Sequence, residues 1–115
     1  MTMWFEKMTY AEKRYRYLLR TGATAAAIER EGRKALPLAA DILDEDSIRH
    51  MASQALAEFG AIDLLFNNAV YQGDGNLATL MEVERVQVEF IMQGNFYTPL
   101  ALVKALLPAM LEQGR

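Results

Sequence analysis

The stretch FGAIDLLFNNA, Phe59 to Ala69, constrains this chain more than any other. A mostly apolar run, Ile62 to Phe66 with Asp63 within it, is long enough for one buried strand and too short for a helix. Gly60 bounds it on one side and Asn67-Asn68 on the other. Immediately before it, LDEDSIRHMASQALAEFG places Ile48, Met51, Ala52, Ala55, Leu56 and Phe59 on one stripe of a helix. Asp44 to Ser47 supply N-caps and first-turn acid, and Gly60 stops the helix. Upstream, ALPLAA (Ala35–Ala40) reads as a second short buried strand, with Pro37 marking an edge position or a strand start. Strand, helix, strand is a crossover unit, so the two strands run parallel with a right-handed connection. The fold class is α/β, mostly helical, with a short parallel sheet.

The other segments read as helices around that unit. Residues 1–20 carry Trp4, Met8, Ala11, Tyr15, Leu18 and Leu19 at helical spacing, with Lys7, Lys13, Arg14, Arg16 and Arg20 largely on the other sides. We expect an N-terminal amphipathic helix within residues 1–22, packing its aromatic stripe on the domain. Ala23 to Glu31 are mostly strong helix formers ending at Gly32. Val70 to Asn76 has the Gly and Asp of a surface loop. Glu82 to Gln113 is a helical stretch with a discontinuity expected at Gly94-Asn95 and Pro99, and a kink or local break at Pro108.

Charge and composition remove several classes of function. The net charge of −3 leaves no basic footprint for nucleic acid. With no cysteine and a single histidine, His50, neither a disulfide framework nor a zinc site is expected, and no metal site is assigned. No window approaches 18 consecutive apolar residues, and the N-terminus lacks the apolar core of a secretory signal. The expectation is a cytoplasmic protein that does not enter membranes.

Asp41 and Asn68 both stand where the two expected strands end. In open α/β sheets, ligands collect at the carboxyl ends of strands. A buried amide must find a partner, so the asparagine pair either ties the sheet end to neighbouring backbone or faces a ligand.

The succession AADILDEDSI, AEFGAIDLLFNNA and GNFYTPLALVKALLPAM resembles the short-chain dehydrogenases/reductases, over about Ala23 to Arg115. The resemblance implies a reduced Rossmann-like domain over residues 23–115, and NAD or NADP as cofactor. It implies oxidoreduction of a small-molecule alcohol or carbonyl. By the same resemblance Asp41 meets the adenine amino group, with Ile42 backbone beside it. Asn67 and Asn68 stabilise the central sheet, and Asn68 with Ala69 lies along the cofactor ribose. Asn95, thirteen residues before Pro108, matches the asparagine of the catalytic tetrad, which bends its helix and holds a relay water on its main-chain carbonyl. Tyr71 to Asn76 corresponds to the loop bordering the substrate pocket.

The departures are as specific as the matches. Val70 and Thr98 stand where the family has glycines. The TGxxxGxG phosphate loop is absent: after Thr21-Gly22, Ala26 and Ile28 fall where the second and third glycines belong. No tyrosine is followed four residues later by lysine, so the family's Ser-Tyr-Lys set is missing. The chain therefore reads as an internal piece of a dehydrogenase, inactive by itself. The alternative is a non-catalytic interaction module that self-associates as a homo-oligomer through its C-terminal helices, covering strand edges and apolar helix faces.

Overall fold

The computed structural model describes residues 22–73 and 75–114, together with the backbone of residues 2–3. Residues 8–39 form one compact unit, and residues 1–7 with 40–115 form another.

In the first unit, helix α1 spans residues 22–30. Gly32 ends it with φ +70°, and its N–H donates to Glu29 C=O while Arg33 N–H donates to Ile28 C=O. This pair of reversed bonds needs a left-handed residue, which glycine supplies without strain. Residues 33–40 contain no strand, so the ladder expected between 35–40 and 62–66 is not formed. The physical reason lies in the residues: Pro37 donates no ladder hydrogen bond, and a short apolar run becomes a strand only against a partner.

In the second unit, β1 (Thr2–Met3) pairs in parallel with β2 (Leu64–Leu65), in the register Thr2 to Leu64 and Met3 to Leu65. Thr2 and Met3 are thus strand rather than the first residues of a helix. The rest of the expected N-terminal helix, from Trp4 on, lies outside the described residues.

Helix α2 (Glu45–Phe59) follows the sequence pattern closely. Asp44 caps it, its Oδ1 accepting from Asp46 N–H at 2.9 Å. Gly60, at φ 71°, closes it with its N–H on Leu56 C=O. Arg49 forms ion pairs with Glu45 and Asp46 at 2.6 and 2.7 Å on the exposed face. The opposite face buries Ile48, Met51, Ala52 and Ala55.

Helix α3 (Arg85–Met92) leads through a π-helical turn (Gln93–Tyr97) into α4 (Thr98–Glu112). The discontinuity expected at Gly94-Asn95 and Pro99 is this π-turn, rather than a break. Helix α4 continues through Pro108 without a break, the proline being exposed. α2 packs on α4, and Thr98, Ala101, Leu102 and Leu106 are buried. With Ile42, Ile62 and Tyr71 these residues make the core. Burying each large aliphatic side chain contributes roughly 1.5–3 kcal/mol, which fixes the α2–α4 pairing.

Candidate functional site: the π-turn and the segment after β2

The π-turn is where sequence and packing meet. Pro99 has no N–H, and a proline inside an α-helix crowds the carbonyl four residues before it, here that of Asn95. The chain widens instead. Thr98 N–H donates to Gln93 C=O, five residues back, and α4 starts with Pro99 in its first turn, where a missing donor costs little.

Widening the helix at this point aims Asn95 at the segment leaving β2. Its Oδ1 accepts from Tyr71 N–H at 2.6 Å, and its Nδ2 donates to Tyr71 C=O at 3.1 Å. One side-chain amide thereby satisfies both backbone groups of a residue that lies outside the ladder, much as a strand partner would. Gly94 makes the approach possible, since a Cβ there would lie 2.6 Å from Tyr71 Cβ. Gly73 serves the same ring from the other end, because a Cβ there would overlap the Tyr71 hydroxyl. Tyr71 is buried, with its ring 6.3 Å from that of Phe90.

The remaining site residues fall into two groups. Ile42, Ala69, Asn67, Gly94 and Thr98 converge on one small cleft. Asp41 and Asn68 do not line it, and both are exposed. Asp41 does not end a strand, as read from the sequence. It opens a turn, with Oδ1 accepting from Leu43 N–H at 2.8 Å and its own N–H donating to Ser47 Oγ at 3.0 Å. Asn68 N–H donates to Phe66 C=O, a tight turn just past β2. Its side-chain amide has no partner among the described residues.

Sequence reasoning missed a polar link beside this cleft. Gln93 Nε2 donates to Thr98 Oγ1 at 3.0 Å and reaches Glu45 Oε1 at 3.4 Å, tying the π-turn to the first turn of α2. It missed Tyr71 as the partner of Asn95 as well. The available signal was the pair of glycines, Gly73 and Gly94, each making room for one aromatic ring.

Comparison with known proteins identifies the family. The short chain dehydrogenase family profile matches residues 12–115. Dehydrogenase/reductase SDR family member 7B of Rattus norvegicus is 38% identical over 76 residues, which are 65% of this chain and 22% of that protein. Hydroxysteroid dehydrogenase-like protein 2 of Danio rerio is 37% identical over 84 residues, 72% of this chain and 20% of its own length. A fatty acyl-CoA reductase of Mycobacterium tuberculosis is 36% identical over 80% of this chain and 31% of its own. This chain thus spans between a fifth and a third of these curated relatives. Among solved structures, a metagenomic short-chain oxidoreductase in complex with NADP superposes with a TM-score of 0.71 at 29% identity, covering 81% of this chain and 41% of that one. A blue fluorescent protein from a metagenomic library, in complex with NADPH, gives a TM-score of 0.74 at 27% identity over 92% and 40% of the two chains. With a Rossmann-like α/β architecture, an Asn-Asn-Ala segment after its strand and an asparagine locked at a helical bulge, this chain belongs to the short-chain dehydrogenase family.

Proposed function

We propose that this chain contributes the adenosine side of an NAD(P)-dependent oxidoreductase site acting on a small-molecule alcohol or carbonyl, and that by itself it does not turn over. The observation that supports the reading best is the double hydrogen bond from Asn95 to Tyr71. It fixes the segment after β2, on which Asn68 and Ala69 lie, against the helical bulge.

The residues present fit one part of the cofactor and not another. Asp41 is exposed and its carboxylate is oriented by the Leu43 N–H, so it would hold the adenine amino group with Ile42 backbone beside it. Asn68 and Ala69 would lie along the ribose. A pyrophosphate needs several backbone N–H groups free of side chains at a helix N-terminus. Gly22 opens α1, but Ala26 and Ile28 sit within that helix where the family glycines belong, so the cradle does not fit. A bound nicotinamide supplies hydride transfer, and the chain holds no Ser-Tyr-Lys set to move the accompanying proton. The role of Asn95 here is positioning, through the backbone of Tyr71.

Two measurements test this. Purified chain assayed with NAD and NADP on alcohol and carbonyl panels is expected to show no turnover. Calorimetric titration is expected to give affinity no better than about 1 mM, near −4 kcal/mol. Micromolar binding, or turnover abolished by Asn95→Ala, would overturn the reading.

A second reading, an interaction module, is favoured by one feature. Phe96, Tyr97, Leu100, Leu107 and Leu111 are exposed along the π-turn and α4, beside a groove of about 310 Å³ lined in part by Glu45, Arg49 and Lys104. Exposed apolar side chains that join into one patch would mark an interface. Light scattering on dilute chain decides it: a homo-oligomer supports the module, and a cooperatively folding monomer at micromolar concentration removes it.

A further inference from the structure

The π-turn deprives the Gly94 carbonyl of its usual helical donors among the described residues. In an α-helix the Gly94 carbonyl would receive the Thr98 N–H, but that N–H goes to Gln93 C=O. In π geometry it would receive the N–H of residue 99, and Pro99 has none. Gly94 is buried, and a buried carbonyl left unpaired is costly.

Beside it stands a second incomplete group. Thr98 is only 2% exposed. Its hydroxyl oxygen accepts from Gln93 Nε2 at 3.0 Å, which leaves the hydroxyl proton without an acceptor among the described residues. Gly94 and Thr98 line the same cleft, with Asn67 on its wall and Ile42, Ala69 and Pro99 completing it. The cleft has a volume of about 20 Å³. A water needs roughly 10–15 Å³ and two to four polar partners.

We propose that this cleft is a hydration site for one ordered water. The water accepts from the Thr98 hydroxyl, donates to the Gly94 carbonyl, and meets the Asn67 side-chain amide. It gives a second tie between the two segments that Asn95 and Tyr71 join directly. Both asparagines of the pair are exposed, and of the two only Asn67 lines the cleft. A threonine at position 98, where the family has glycine, brings the hydroxyl that makes the site. The inference does not depend on the cofactor reading.

Water–protein cross-relaxation NMR on the full chain tests it. We expect long-lived water cross-peaks at the Gly94 and Thr98 amides. Thr98→Val, which keeps the volume and removes the hydroxyl, should abolish them, whereas Thr98→Ser should retain them. Absence of the cross-peaks in the unaltered chain, or their persistence unchanged in Thr98→Val, would overturn the site. Should Thr98→Val fail to fold, Asn67→Ala takes its place: faster water exchange at the same amides supports the site, and unchanged exchange counts against it.

Discussion

Asn95 holds both backbone groups of Tyr71, accepting its N–H at 2.6 Å and donating to its carbonyl at 3.1 Å. The two residues are 24 positions apart in the chain. The amide thereby ties the segment that leaves β2 to the helical bulge through both backbone groups of Tyr71. Asn95→Ala should therefore cost about 1–3 kcal/mol, the penalty for stranding part-buried polar groups. Urea denaturation measures the loss. Amide exchange at Tyr71 should accelerate more than at the α2–α4 core, and equal acceleration everywhere would contradict a local clamp.

Gly94→Ala probes the same contact sterically. The new methyl would lie 2.6 Å from Tyr71 Cβ, an atom that cannot move without moving backbone. Overpacking of this kind costs roughly 1–3 kcal/mol. Gly22→Ala is the control: its Cβ meets nothing within 4 Å, so helix propensity should leave that variant neutral or more stable by up to about 1 kcal/mol. Thermal melts should show a lowered midpoint for Gly94→Ala and an unchanged or raised one for Gly22→Ala.

Adjacent leucines on α4 offer a sharper contrast. Leu106 is 0% exposed and Leu107 is 43% exposed. Leu106→Ala should lose about 2–5 kcal/mol through lost transfer energy and a cavity between α2 and α4. Leu107→Ala in the monomer should change stability far less, and a comparable loss would mean that another surface covers position 107.

Glu82 provides a pH signature. Thr79 donates its hydroxyl to Glu82 Oε2 at 2.8 Å and its backbone N–H to the same oxygen at 3.3 Å. Those bonds, the hydroxyl's first, hold the Glu82 carboxyl below its ordinary value of 4.5. The folded state thus favours the charged form. The contribution is present above the unfolded value and lost as pH falls through the lower folded value. An NMR titration should find the Glu82 midpoint below 4.5, and Thr79→Val should raise it.

Local chemistry determined much of this protein directly. The cap at Asp44, the apolar stripe from Ile48 to Phe59 and the stop at Gly60 each act within a few residues, so α2 was legible in sequence. The same holds for α1 and for the irregularity at Gly94-Asn95 and Pro99, because a proline without an N–H disturbs any helix it enters. The family relationship was legible through the spacing of Asp41, Asn67-Asn68 and Asn95. Only the tertiary structure decided which strands pair. Ala35–Ala40 has a strand's composition but no ladder, while Thr2–Met3, read as helix, pairs with Leu64–Leu65. A β-ladder depends on a partner distant in sequence, which local propensity cannot supply. Tertiary structure likewise decided that Asn95 spends its amide on Tyr71, because a side chain's partner across 24 residues is set by packing and not by spacing.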